Sequence, residues 1–423
     1  MKKTIHLPKI DFLRLRKYFL IILAASLLFG GGYFAGREGF ILNAAKLNRI
    51  SVSRELPPDK STLDFSLFWR VWDELSAKYF DKSKLVTSQM VYGAIQGMVS
   101  ALGDPYTVFL PPSENKVINE DLGGSFEGVG IEIGFRGTQL AVIAPLPGSP
   151  ADKAGVKPGD FIIGIKDEAK KIDQGTAGLS LEGAVQEIRG TAGTKVTLVL
   201  LRDGTDGPLI VDLTREKINV PSVILTYVGK DKNIARIQLM KFGAETDGEW
   251  QKATQEILSK GVVKSIILDL RNNPGGYLQG AVDIASDFLK SGTTVVVEER
   301  GDGTKHEYKT EGSGLSGGLP NDMKVVILVN GGSASASEIL AGALRDQKKI
   351  KLIGDKTFGK GTIQEPEDLD SGSGLHITIA KWLTPNGTWV NGKGLEPDVK
   401  IEDDSKTVQD EQLNKAIEIV SAQ

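Results

Sequence analysis

The chain of 423 residues has no cysteine and only three histidines. Without cysteine there are no disulfides, thiol nucleophiles or thiolate metal sites, and the absence suits an oxidising or a reducing compartment equally. His6, His306 and His376 show no ligand-type spacing, so neither a histidine metal site nor a cofactor is expected. An excess of one charge is also missing. Fifty-one basic and 54 acidic residues leave a formal net charge of -3, which gives no electrostatic basis for binding nucleic acid. There is no convincing internal repeat and no low-complexity tract. Hydrophobic residues at 40% and charged residues at 25% are ordinary for globular protein, and the length allows two or three domains.

One long apolar run is present. Residues 18–36 carry no charge, and as a helix they would span about 28 Å, close to the thickness of a bilayer core. Before them stand Lys2, Lys3, Lys9, Arg14, Arg16 and Lys17 against the single acid Asp11. This asymmetry predicts a cytoplasmic basic tail at 1–17, a transmembrane signal-anchor at 18–36, and the remainder outside the cytoplasm of a bacterial cell. A cleaved signal peptide is the rival reading, although no clear A-x-A site follows the run. Residues 37–62, with Pro57-Pro58, read as a linker.

A helical region is expected at 63–117. Leu63, Leu67, Phe68, Val71, Trp72 and Leu75 share one stripe, and Met90, Val91, Ala94, Ile95, Met98 and Val99 another. Such stripes serve packing or a dimer face. Residues 118–215 are rich in glycine and strands. Gly128-Val129-Gly130-Ile131 opens them, and Ser149-Pro150-Ala151 with Ala154-Gly155 and Gly159-Asp160 follows. This order resembles a PDZ domain. The resemblance implies capture of an extended peptide beside a strand, its C-terminal carboxylate held by the N–H groups of Gly128, Val129, Gly130 and Ile131. From 216 to 400 the pattern turns α/β: a strand at 233–239, a helix at 246–260, a continuously apolar strand at 265–270 and a helix near 278–289. An amphipathic helix closes the chain within 401–423.

Within the α/β region, the apolar run 325–329 leads into Gly331-Gly332-Ser333-Ala334-Ser335-Ala336-Ser337-Glu338 and then a helical pattern. A buried strand, a turn of small residues and a helix N-terminus can present a serine hydroxyl beside unpaired N–H groups. They can equally make a serine-rich helix cap. A serine nucleophile needs a base. With histidine scarce, lysine is the economical candidate, and Lys360 sits between Gly359 and Gly361. Lowering a lysine pKa from about 10.4 to about 7 costs roughly 4–5 kcal/mol, which burial can supply.

These strings, with Thr357-Phe358-Gly359-Lys360-Gly361 and Asp269-Leu270-Arg271-Asn272-Asn273-Pro274-Gly275-Gly276, resemble the carboxyl-terminal processing (tail-specific) peptidases. Leu102-Gly103-Asp104-Pro105-Tyr106-Thr107 and Gly394-Leu395-Glu396-Pro397-Asp398 match as well. The resemblance implies a crotonase- or ClpP-like α/β protease core with an inserted, mainly β PDZ domain. It also implies a Ser-Lys serine endopeptidase. By position Ser335 would be the nucleophile and Lys360 the base, 25 residues on (360 − 335), with Gln364, about one helical turn later, orienting it. The N–H groups of Gly276 and Ala336 would form the oxyanion hole, Asp346 would support the site, and Ser333 and Ser337 would be cap and turn residues. Pro274 stands where many relatives have glycine. The implied partners are protein or peptide substrates with apolar C-termini, an activating adaptor, and a second copy of the chain bound through helices at 63–102 and 407–422. Three other readings stay open: a catalytically silent PDZ scaffold at the membrane, a crotonase-like acyl transferase or hydratase, and a Ser-His hydrolase using His376.

Overall fold

The computed structural model describes residues 64–402, except 313 and 321, and residues 409–422. The tail, anchor and linker expected at 1–62 lie outside the described residues. Among the described residues no helix is long and apolar enough to cross a membrane. The chain divides after Val91 into two units. In the first, helix Ser66–Lys78 gathers Phe68, Trp69 and Trp72, with Trp69 edge to face against both others and Phe68 and Trp69 centroids 4.9 Å apart. Leu67, Val71 and Leu75 of this helix are exposed. Helix Thr87–Ser100 runs across the division.

The second unit is built on a six-stranded sheet. Its strands lie in the order Val223–Val228, Ile234–Leu239, Ser265–Asp269, Lys324–Val329, Lys351–Gly354 and Val399–Lys400. All neighbours are parallel except the antiparallel edge pair Val223–Val228 and Ile234–Leu239. Parallel strands covered on both faces need apolar side chains all along, which is why 265–269 and 325–329 read as unbroken hydrophobic runs. Their side chains divide by parity. Ile266, Leu268, Ile327 and Val329 point into a core closed by helices Thr246–Lys260, Leu278–Ser286 and Ala336–Lys348. Ile267, Val326, Leu328 and Ile353 meet Ala416 and Val420 of the terminal helix Glu411–Ala422 on the other face. The apolar stripe of that helix, read from the sequence as a dimer face, thus covers the chain's own sheet.

A second sheet orders Val108–Leu110, Gly374–Leu383, Thr294–Arg300 and Lys305–Lys309, with Thr362–Asp368 paired along Gly374–Leu383. The sequence reading lacked the hairpin at 294–309, whose second strand, Lys-His-Glu-Tyr-Lys, has almost no buried face.

Residues 125–219 fold around their own core of Leu140, Ile162, Ile165, Leu198 and Leu200. Its sheet runs Ile131–Arg136, Gln139–Pro145, Phe161–Asp167, Lys195–Leu201, Leu209–Thr214, which leaves Ile131–Arg136 at an edge beside helix Leu181–Ile188. Arg215 and Asp167, both almost fully buried, pair at 2.7 Å. The incoming segment Ser125–Gly128 and the outgoing segment Glu216–Asn219 pair antiparallel, so the domain joins the core through a two-stranded neck. Helix Pro112–Leu122, which begins inside the helical region expected at 63–117 and runs past its end, leads into that neck.

Candidate active site

The strand Lys324–Val329 delivers the serine turn at its C-terminal end. Three serines there have different surroundings. Ser333 Oγ accepts the Asn330 N–H (3.0 Å) and donates to Leu270 O (2.8 Å). Ser337 Oγ donates to Asn273 O (2.9 Å). Both are fully buried and pin the turn to the neighbouring loop at 270–276. Ser335 is half-buried, with φ 55° and ψ −117°. A non-glycine residue in that region costs on the order of 1–3 kcal/mol, which the surrounding bonds must hold in place.

The loop at 270–276 approaches closely. Asn273 Oδ1 accepts the Gly275 N–H (2.9 Å), and its Nδ2 donates to Leu239 O (2.8 Å). Gly275 has φ 103° and Gly276 φ 133°. A methyl group on Gly275 would stand 2.8 Å from Ser335 Cβ and 3.0 Å from Ala336 N. One on Gly276 would lie 2.1 Å from Phe242 O. Only glycine fits either place. Among the described residues the N–H groups of Gly276 and Ala336 have no hydrogen-bond acceptor. They are therefore available to an anionic oxygen at the serine.

Lys360 comes from the loop after strand Lys351–Gly354. Its backbone is clamped on both sides. Trp382 Nε1 donates to Lys360 O and Trp389 Nε1 to Gly361 O, each at 2.9 Å. On the other side the carboxylate of Glu338, with no exposed surface, accepts four bonds. Oε1 takes the Thr357 hydroxyl (2.6 Å) and the Gly359 N–H (2.8 Å). Oε2 takes the N–H groups of Lys360 (2.9 Å) and Ser335 (3.0 Å). A single carboxylate oxygen therefore brings the serine and lysine backbones together. The sequence reading gave Glu338 no role. The only local signal was Ser335-x-x-Glu338, a capping-box spacing.

The lysine side chain is half-buried, and burial pushes its pKa down while Asp104 opposes the shift. Its Nζ lies 5.1 Å from the centre of the Tyr106 ring. Among the described residues it makes no hydrogen bond to Ser335 or Gln364. Gln364 is not one helical turn on, as expected. It sits on strand Thr362–Asp368, where the β-branched Thr362 and Ile363 favour extended backbone, and its Nε2 donates to Thr362 Oγ1 (2.9 Å) and Thr378 Oγ1 (3.1 Å). Asp346 lies eleven residues along the serine helix, about 16 Å away at 1.5 Å per residue, and accepts the Asn386 N–H (3.0 Å). The structure therefore does not bring it to the serine. His306 stacks edge-on against Tyr308 in the hairpin. His376 is half-buried, its pKa held down by burial and then by the Lys360 charge, and it makes no hydrogen bond to Ser335 among the described residues. Behind the loop, Arg271 bonds both Asp269 and Asp410, the latter through two contacts of 2.8 Å. Asp410 caps the terminal helix by accepting the Leu413 N–H.

In the domain at 125–219, Val129, Gly130 and Ile131 line an apolar cavity of about 140 Å³ with Phe126, Val185 and Ile188. Gly128 ends the neck strand just ahead of it.

Comparison with known proteins yields three matching family models. Peptidase family S41 matches residues 233–401, a PDZ domain 142–202, and the N-terminal domain of the activating protease CtpB 27–112. The carboxy-terminal processing protease CtpA of Bacillus subtilis is 36% identical over 337 residues, covering 79% of this chain and 68% of that protein. A protein of Staphylococcus saprophyticus named as a CtpA-like serine protease is 39% identical over 334 residues, covering 79% and 65%. The match thus spans about two thirds of the length of these relatives. A solved S41-type protease structure from Bacteroides fragilis shares the fold with a TM-score of 0.55 at 15% identity, over 78% of this chain and 90% of that one.

Proposed function

Since the chain belongs to peptidase family S41, we propose that it is a serine endopeptidase acting through Ser335 and Lys360 on proteins whose C-terminal tails its PDZ domain captures. The observation that carries this reading is the Glu338 oxygen shared by the Ser335 and Lys360 N–H groups, which fixes nucleophile and base on one buried anchor. Lys360, in its neutral form, takes the Ser335 proton as Oγ attacks the substrate carbonyl. The oxyanion that forms is met by the N–H groups of Gly276 and Ala336. Lys360 then passes the proton to the leaving amine, and a water deprotonated by the same lysine releases the acyl group. Gln364, held on strand Thr362–Asp368 by Thr362 and Thr378, would orient the lysine head once released from them.

The free edge of Ile131–Arg136 and the apolar cavity beneath it suit an apolar C-terminal residue added as an extra strand. We further propose that residues 18–36 anchor the chain in a membrane with its catalytic part outside the cytoplasm, on the strength of the uncharged run and its basic flank. Protease accessibility in cells stripped of their outer layers but with the inner membrane intact tests this, and digestion only after that membrane is lysed would refute it.

The dyad is tested by comparing wild type, Ser335→Ala and Lys360→Ala on an unfolded protein with an apolar C-terminus. Wild type should cleave and both variants should not. Retained cleavage in the variants would overturn the dyad, and tail binding without cleavage by the wild type would favour a silent scaffold.

A further inference from the structure

The motif Leu102-Gly103-Asp104-Pro105-Tyr106-Thr107 stands outside the dyad as described, yet it places the Tyr106 ring beside Lys360 and ties Asp104 to the strand that carries Thr378. Asp104 accepts the Tyr106 N–H (3.0 Å) and the Thr107 hydroxyl (2.7 Å). Thr107 Oγ1 accepts the N–H of Thr378 (3.0 Å). Thr378 Oγ1 accepts from Gln364 Nε2 (3.1 Å). The ring of Tyr106 lies 5.1 Å from Lys360 Nζ. Strand Val108–Leu110 follows at once and pairs with Gly374–Leu383, Val108 opposite His376, so the motif is fixed to the strand that carries Thr378.

We propose that Asp104 is a positioning residue of the dyad. With Tyr106 it holds the Lys360 head as a charged ammonium in a resting pose, and through Thr107 and Thr378 it fixes Gln364, so that the lysine becomes a base when its head leaves the Tyr106 ring and this nearby anion. The inference rests on the Ser-Lys reading above.

The charge balance around the lysine agrees with this geometry. Burial drives the lysine toward its neutral form and Asp104 drives it back. Burial raises the pKa of Asp104 itself, but the hydroxyls of Thr378 and Thr107 and the backbone N–H groups outweigh this, and the carboxyl stays below its ordinary value. Of the other groups that face the lysine, Tyr106 offers its ring, and the pKa of His376 is held down by burial and then by the lysine charge, against the nearby Asp368. Glu338 meets only the main chain of Lys360. The sign follows directly: a nearby anion favours the ammonium, so removing it lowers the lysine pKa.

The test uses the whole protein and a sulfonyl fluoride that acylates serine, with rate measured against pH and thermal midpoint measured alongside. Asp104→Asn should move the acidic limb down by about one pH unit, a gain of up to tenfold in rate on that limb. Asp104→Glu should restore the wild-type limb. Tyr106→Leu, which leaves the carboxylate in place, should shift it the same way by about half as much and serves if Asp104→Asn does not fold. An unmoved or upward-shifted limb in a folded variant overturns the proposal. Acylation of Lys360→Ala at the wild-type rate would instead overturn the dyad reading itself, so the two failures are distinct.

Discussion

Glu338→Gln is the sharpest perturbation the site offers. The change keeps the shape of the side chain and replaces one acceptor oxygen by a donor NH2. Each oxygen of Glu338 accepts two bonds, so either orientation of the amide abolishes two of the four and sets donors against donors. Hydrogen bonds to a charged acceptor contribute about 1.5–3 kcal/mol each, and a buried donor left unpaired costs about 1–3 kcal/mol. Losing two such bonds, with partial relaxation of the loop, should cost about 3 kcal/mol locally. If the amide displaces the Ser335 and Lys360 N–H groups, that energy holds the proposed dyad's two backbones together, and at 1.36 kcal/mol per decade kcat/KM should fall about 100-fold or more. Facing Thr357 and Gly359 instead, the amide would loosen the lysine loop at its root, with the same sign. The assay is kcat/KM on an unfolded protein substrate, with the thermal midpoint and wild-type binding of a C-terminal peptide as controls on folding. A folded Glu338→Gln enzyme within about threefold of wild type would refute the argument that this carboxylate assembles the site.

Three further outcomes follow from the geometry. Gly276→Ala should remove most activity, at least 100-fold in kcat/KM, because the new methyl would sit 2.1 Å from Phe242 O and must shift the N–H meant for the oxyanion. A folded, fully active variant would exclude Gly276 from that role. Asp410→Asn should weaken docking of the terminal helix by about 1 kcal/mol at neutral pH, read by urea unfolding. Burial raises the pKa of Asp410 but the Arg271 bond and charge outweigh it, so its contribution is present above the unfolded value near 4 and lost as pH falls below it; the variant should therefore lose less stability on acidification than wild type. Val185→Asp, which puts a charge into the PDZ cavity, should slow cleavage of a tailed protein at least tenfold and leave a short unstructured peptide ester unaffected.

What the sequence made legible was what local chemistry dictates. Strand Ser265–Asp269 announced itself because burial on both faces leaves no polar position, and helix Thr246–Lys260 was found at both ends. Ser335 stood out as the middle of a small-residue turn after such a strand. Glu338 did not, because its partners at 357–360 lie about twenty residues downstream and nothing local shows that those N–H groups turn toward it. Gln364 was misplaced by a helical spacing where the chain is a strand. Asp346 shares a helix with the serine, but helical rise carries it away from the turn. The stripe of the terminal helix was read correctly as apolar but offered to a second copy of the chain, whereas it covers the chain's own sheet, since amphipathicity says that a face is covered and not by what.

The neck of the PDZ domain has a mechanical consequence. Two antiparallel strands, Ser125–Gly128 against Glu216–Asn219, form a ribbon one residue thick and two wide. Such a ribbon flexes across its flat face far more easily than within its plane. A tail bound beside Ile131 as proposed, a few residues beyond the neck, would pull on a lever with one soft direction, with helix Pro112–Leu122 at its root. The segment holding Tyr106 and Thr107 ends just before that helix, so the neck and the lysine's neighbours are joined through a short stretch of chain.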